Sequence, residues 1–201
     1  MIGVAPASAS PCKGLWTMGV GGFQISTDAL GIPNFAQTSS YVPSDQPVGY
    51  NSMDINAGAR EIERLYRNYR AQCPEDLVQI LGHSGGAAAA HVWVSAHRYE
   101  QGVSVILASD PKRVAGPGGS GLAGHPLAGP VAFVGVFAGA AGTDANFGTV
   151  PVLDICNAGD WVCNRAAGVH GYLVTGVHGK YNLNPWSYPF GISGKWYQEI
   201  Y

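Results

Sequence analysis

Apolar and polar positions alternate with a legible period between residues 54 and 108. Ile55, Ala59, Ile62, Tyr66 and Tyr69 recur at steps of four and three, with Arg60, Glu61, Glu63, Arg64 and Arg67 falling between them. This is one apolar stripe on an amphipathic helix, running from about Asp54 to Ala71 and closed by Cys73-Pro74, because the residue before a proline is driven out of the helical region. Val78-Gln79-Ile80-Leu81-Gly82 then reads as a strand, residues 85–98 as an alanine-rich helix, and Val103-Ser104-Val105-Ile106-Leu107-Ala108 as a short buried strand. Strand and helix in alternation predict a parallel sheet with crossover helices. Upstream, Leu15 to Phe23 reads as a first strand running into a glycine-rich turn, and residues 24–50 as a long polar connection. Downstream, residues 115–130 hold six glycines and three prolines and read as a mobile surface loop. Val131 to Phe137 reads as a further strand or a loop wall, and Val150 to Ile155 as the next strand. No repeat is visible, so residues 1–201 read as a single domain with an aromatic tail from about residue 182, read as core cover or interface.

The junction between the central strand and the alanine-rich helix carries chemistry. Gly82-His83-Ser84-Gly85-Gly86 fits G-x-S-x-G, in which a serine is exposed at a strained strand-to-helix turn. The flanking glycines have a mechanical reason, since side chains there would collide with strand or helix. The bland alternative is a glycine-rich turn with an incidental serine. The strand before it and the small-residue helix after it favour the nucleophile.

Composition narrows the classes. Only 12% of residues are charged, against a usual ~25%; net charge is −2 and no basic run is present, which argues against nucleic acid. No apolar run is long enough for a transmembrane helix. Met1 to Pro11 has neither a basic start nor a long apolar stretch, so it does not read as a signal peptide; export would follow removal of a leader, or another route such as lysis or incorporation in a virion. The four cysteines, Cys12, Cys73, Cys156 and Cys163, suit two disulfides and an oxidising compartment, the alternative being four buried thiols. Neither they nor the histidines have zinc-ligand spacing, so no metal is expected.

A serine nucleophile needs a base and a carboxylate to orient it, and behind a G-x-S-x-G elbow of the α/β-hydrolase type these follow in the chain order Ser, Asp/Glu, His. The later acids are Asp110, Asp144, Asp154 and Asp160, and the later histidines His125, His170 and His178. Asp160 stands out inside Cys156-Asn157-Ala158-Gly159-Asp160-Trp161-Val162-Cys163, just after the last clear strand. Asp154 lies within that strand and is a fallback; Asp110 reads as a loop brace. His91 reads as a packed histidine, His97 as an exposed helix-end cation, and His83 either as lining the cleft or as structural. His170 is the alternative base, being closer in sequence to Asp160.

These segments resemble the cutinases. C-N-x-G-D-x-V-C is very like the segment carrying their catalytic aspartate, Cys73-Pro74 with Gly82-His83-Ser84-Gly85-Gly86-Ala87 resembles their C-P-…-G-Y-S-Q-G-A, Asp110-Pro111-Lys112-Arg113 resembles a G-D-P-x-R, and His178-Gly179-Lys180-Tyr181 matches an H-x-x-Y. The resemblance covers about residues 12–181. It implies Ser84 as nucleophile, Asp160 as orienting acid and His178 as base, with disulfides Cys12–Cys73 and Cys156–Cys163. It implies oxyanion donors at the Gly85 backbone N–H and near Val20. It also implies an α/β fold: a three-layer sandwich with a central, mostly parallel sheet flanked by helices, of the cutinase-like α/β-hydrolase type, lidless or with a short lid. This chain departs from the pattern at His83 and Gly85, in the Met18-Gly19-Val20-Gly21-Gly22 turn and between residues 116 and 148.

The leading expectation is a cofactor-free serine esterase acting on lipid, cutin-like or mycolyl-type cell-envelope esters outside the cell, the last being the work of phage Lysin B enzymes, which look related. The alternative is a virion or cell-surface module on the same fold, self-assembling or bound to neighbouring subunits, with catalysis reduced or lost.

Overall fold

The computed structural model describes residues 12–27, 29–35, 39–127, 139 and 141–201. The strand or loop wall expected at Val131 to Phe137 lies outside them. A six-stranded sheet runs in the order β4-β1-β5-β6-β7-β8, with every pairing parallel. Its strands are β1 (Leu15–Val20), β4 (Gln46–Val48), β5 (Leu77–His83), β6 (Val103–Ala108), β7 (Val152–Asn157) and β8 (Gly194–Gln198). A small antiparallel pair, β2 (Ser26–Thr27) and β3 (Pro33–Asn34), stands apart.

Helix α1 (Ile55–Gln72) starts where Asp54 caps it, its carboxylate accepting the N–H of Ala57 at 2.9 Å, a cap worth about 1 kcal/mol. Its buried stripe is Ile55, Gly58, Ala59, Ile62 and Tyr66. Helix α2 (Gly85–Ala96) has no polar face to speak of, because it lies between α1 and the sheet; its residues from Gly86 to His91 are all buried. Small residues permit the approach: a Cβ on Gly58 would stand 2.8 Å from that of Ala89.

The sheet buries a different core on each face. One joins Trp16, Met18, Ile80, Val105 and Val152 to the two helices, and the other sets Val42, Leu81, Ile106, Leu153 and Ile155 against Tyr181, Leu183, Tyr188 and Ile192. The third layer is therefore built largely by the aromatic C-terminal segment, with 3-10 turns at Val177–Gly179 and Pro185–Ser187. That segment ends in β8.

The glycine-rich segment also differs from a free surface loop. Gly121 N–H bonds to the Arg113 carbonyl, Leu122 N–H to Val162 and Ala123 N–H to Pro111. Gly121 is placed so that a Cβ would lie 2.3 Å from the Pro111 oxygen. High glycine content here serves close backbone approach, not looseness.

Candidate active site

Ser84 sits where β5 ends and α2 begins, with φ 58° and ψ −125°. A non-glycine residue in that region stores about 1–3 kcal/mol of strain, which the surrounding backbone must hold. Ser84 N–H donates to the Ala108 carbonyl of β6, and Ser84 C=O accepts from Ala88. Three glycines make the turn sterically feasible. A Cβ on Gly82 would lie 2.5 Å from the Gly86 oxygen, one on Gly86 2.0 Å from the Val20 oxygen, and one on Gly22 2.6 Å from the Ser84 Cβ. Gly85 is different. A Cβ there meets nothing closer than 3.5 Å, so the departure from the cutinase glutamine is not a backbone requirement. The Ser84 side chain does not cap α2 and has no hydrogen-bond partner among the described residues.

Asp160 and His178 meet at the same end of the sheet. The turn carrying the acid is closed by the Cys156–Cys163 disulfide. Asp160 is fully buried, and His178 Nδ1 lies 3.1 and 3.0 Å from its two carboxylate oxygens. Tyr181 Oη donates to Oδ2 at 2.7 Å, Ser109 Oγ donates to the same oxygen at 2.5 Å, and Val162 N–H donates to Oδ1 at 3.1 Å. Burial alone would raise this carboxyl, but the His178, Ser109 and Tyr181 contacts outweigh it and hold it below the usual carboxylate range. An ionised acid facing Nδ1 keeps the proton on that nitrogen and leaves Nε2 as a lone-pair acceptor. Nε2 has no partner among the described residues. Asn157, the last residue of β7, supports the turn from behind, its amide donating to the Val177 and Lys180 carbonyls.

The other sequence candidates fall elsewhere. His170 opens the short helix α3 (His170–Leu173) and is exposed, with no side-chain hydrogen bond among the described residues. Val20 is fully buried at the end of β1, opposite Gly82 and Val48; the backbone of that turn lying against Ser84 is Gly22. Asp154 is buried in β7 beside Arg113, Nε to Oδ2 being 3.2 Å. Burial, reinforced by the charge of Asp110 and opposed by Arg113, pushes its pKa up to about 7. Asp110 braces its own loop, accepting from Lys112 N–H at 2.8 Å and meeting His91 Nδ1 at 2.6 Å. His97 stacks on Trp93 and contacts Glu63.

Two contributors were not read from the sequence. Ser109, with φ 57°, contacts both Asp160 and His178 Nδ1, the latter at 3.1 Å. The signal was available, since Ser109 fills the glycine position of G-D-P-x-R. Tyr41, from the long polar connection, reaches His83 and Gly22 through its hydroxyl, and nothing in that segment marks it. Among the described residues, one cluster has metal-type ligand atoms close together, Cys12, Cys73 and Asp76. Its two sulfurs are spent on the Cys12–Cys73 disulfide, so it does not fit a cation.

Several known proteins are similar to this chain. A cutinase-like protein from Cryptococcus sp. aligns at 20% identity over 80% of this chain and 84% of that one, with a TM-score of 0.49. A protein described as a YdeN-like hydrolase from Pectobacterium atrosepticum aligns at 16% identity over 71% and 63%, with a TM-score of 0.32. No curated protein matches the sequence. The cutinase family model matches residues 5–184, nearly the whole chain. With a central parallel sheet and flanking helices of the α/β-hydrolase type, this chain belongs to the cutinase family of hydrolases.

Proposed function

We propose that this protein is a serine esterase that cleaves carboxylic esters through an acyl-enzyme. The observation that carries this reading is the bond from His178 Nδ1 to the buried carboxylate of Asp160, at 3.0 Å, at the same end of the sheet as the strained Ser84. His178 Nε2 takes the Ser84 proton as Oγ attacks the ester carbonyl. The carboxylate steadies the imidazolium that forms. The oxyanion is met by the Gly85 N–H at the positive end of α2 and by backbone of the turn after β1, donors of a kind that supply several kcal/mol of barrier reduction. His178 then protonates the leaving alcohol, and water activated by the same imidazole releases the acid.

An apolar acyl group suits the surroundings. Tyr172 packs on the His178 ring at 4.7 Å between centroids, and Leu173 and Val174 beside it are each 70% exposed. Phe23 and Ile25 are exposed on the turn that follows Gly22. Large apolar side chains held in water next to a polar catalytic cluster favour a lipid, cutin-like or mycolyl-type ester over a sugar or peptide. Two disulfides favour work in an oxidising, extracellular setting. Among the described residues no helix is long and apolar enough to cross a membrane.

The test is turnover of p-nitrophenyl butyrate and labelling by a fluorophosphonate. Ser84→Ala should abolish labelling and lower kcat at least about 10,000-fold. Labelling that survives Ser84→Ala, or no turnover by the unaltered protein on short or long acyl esters, rejects the esterase.

A further inference from the structure

His83 immediately precedes Ser84, and its buried ring uses both nitrogens. Nε2 stands 3.0 Å from the backbone oxygen of His178. A carbonyl only accepts, so Nε2 carries the proton. Nδ1 must then accept, and Tyr41 Oη donates to it at 2.6 Å. The same Tyr41 oxygen accepts the N–H of Gly22 at 2.9 Å. One unbranched chain of hydrogen bonds thus runs from the turn after β1, past the residue next to Ser84, to the backbone of the candidate base. The His83 and His178 rings lie 4.7 Å apart between centroids. The phenol that the cutinase pattern has at this position carries one polar atom, at its far end. Only imidazole offers a donor and an acceptor pointing in divergent directions from so small a ring.

We propose that His83 is a positioning residue, its neutral imidazole fixing the His178 backbone and, through Tyr41, the Gly22 turn relative to Ser84. The inference rests on the reading of Ser84 and His178 as nucleophile and base. The groups facing the ring are His178, Asp160, Tyr181 and Tyr41. Burial, then the neighbouring His178, push its pKa down to about 4, so the neutral form that the hydrogen bonds require persists through neutral pH. In the triad the base must meet its proton donor within tenths of an ångström, and a misplacement of ~1 Å is enough to cost about 100-fold in rate.

The experiment compares His83→Phe, His83→Gln, Tyr41→Phe and the double variant His83→Phe/Tyr41→Phe. Phenylalanine fills the ring's space without polar atoms, and glutamine restores an amide donor toward the His178 carbonyl. His83→Phe should lower kcat about 10- to 100-fold with KM held within about threefold, and His83→Gln should recover part of the loss. The double variant should lose little more than His83→Phe alone, because the two side chains act as one chain of bonds. Wild-type kcat in His83→Phe, equal losses in the phenylalanine and glutamine variants, or additive losses would overturn the proposal. Ring-nitrogen NMR of the histidines gives a readout that needs no turnover. It should show His83 neutral and protonated on Nε2 at pH 6, with the His178 resonances displaced in His83→Phe and in Tyr41→Phe. Unmoved His178 resonances reject the proposal even if the esterase reading has failed separately on Ser84→Ala. Tyr41 is 41% exposed, so Tyr41→Phe supplies a folded variant if His83→Phe does not fold.

Discussion

Ser84 and Ser109 share an unusual backbone, with φ 58° and 57°, at the ends of the adjacent strands β5 and β6. Ser109 N–H bonds to the Ile155 carbonyl of β7, as Ser84 N–H bonds to Ala108 of β6. A side chain in the left-handed region costs about 1 kcal/mol relative to glycine, so a serine there needs a return. At Ser109 that return is a hydroxyl held on Asp160 Oδ2. The two effects separate by substitution. Ser109→Ala keeps the strain and loses the hydroxyl, whereas Ser109→Gly loses both. Ser109→Gly should therefore be the more stable of the two by about 1 kcal/mol in urea unfolding, while both lower kcat on an ester by the same factor, about tenfold. Equal stability of the two variants would remove the strain argument. The triad candidates were legible because their residue types cluster in short motifs. The contacts of Ser109 and Tyr41 were not, because each joins the site across a long sequence separation, 69 residues for Ser109 to His178 and 42 for Tyr41 to His83.

Between β1 and α2 the packing distance is set by glycine. Gly86→Ala would drive a methyl into the Val20 and Gly21 carbonyls, at 2.0 and 2.6 Å. Backbone cannot step aside cheaply, so the expected loss is about 3 kcal/mol, read as a lower urea midpoint. Gly85→Ala, whose new methyl meets Ile55 Cδ1 at 3.5 Å and the Gly22 Cα and Phe23 nitrogen at 3.6 Å, all ordinary van der Waals distances, should stay within about 0.5 kcal/mol of the parent. If both cost the same, the close approach is not what the glycine supplies. The elements legible in the sequence were those with an internal signal. α1 shows a helical stripe, β5 and β6 are short apolar runs, and α2 is a small-residue segment fitted between two layers. Edge strands lack such a signal. β4 is three residues with a proline, and β8 is Gly-Lys-Trp-Tyr-Gln with no buried residue. Each becomes a strand through hydrogen bonds offered by one neighbour, β1 or β7. The residues alone carry no alternation that would announce it.

At the scale of the molecule, two covalent links do different work. Cys12–Cys73 spans 61 residues and ties the start of β1 to the end of α1, whereas Cys156–Cys163 spans 7 and encloses Asp160. Loop-closure entropy makes the long link worth about 4 kcal/mol and the short one about 2.5 kcal/mol. Replacing Cys12 and Cys73 by serine should therefore cost more stability, and replacing Cys156 and Cys163 by alanine should cost more kcat relative to its stability loss. Unfolding midpoints and ester turnover on both double variants check this, and the reverse ranking in kcat would show that the short link does not hold the acid. The Asp160 turn has a second anchor far along the chain: Ala158 and Gly159 donate their N–H groups to the carbonyls of Gln198 and Ile200, at 2.7 and 2.8 Å. Those acceptors exist only once β8 has added to the sheet. The carboxylate's turn and the outermost strand are thus ordered together: neither set of backbone groups is satisfied until the far end of the chain has closed over the sheet's edge.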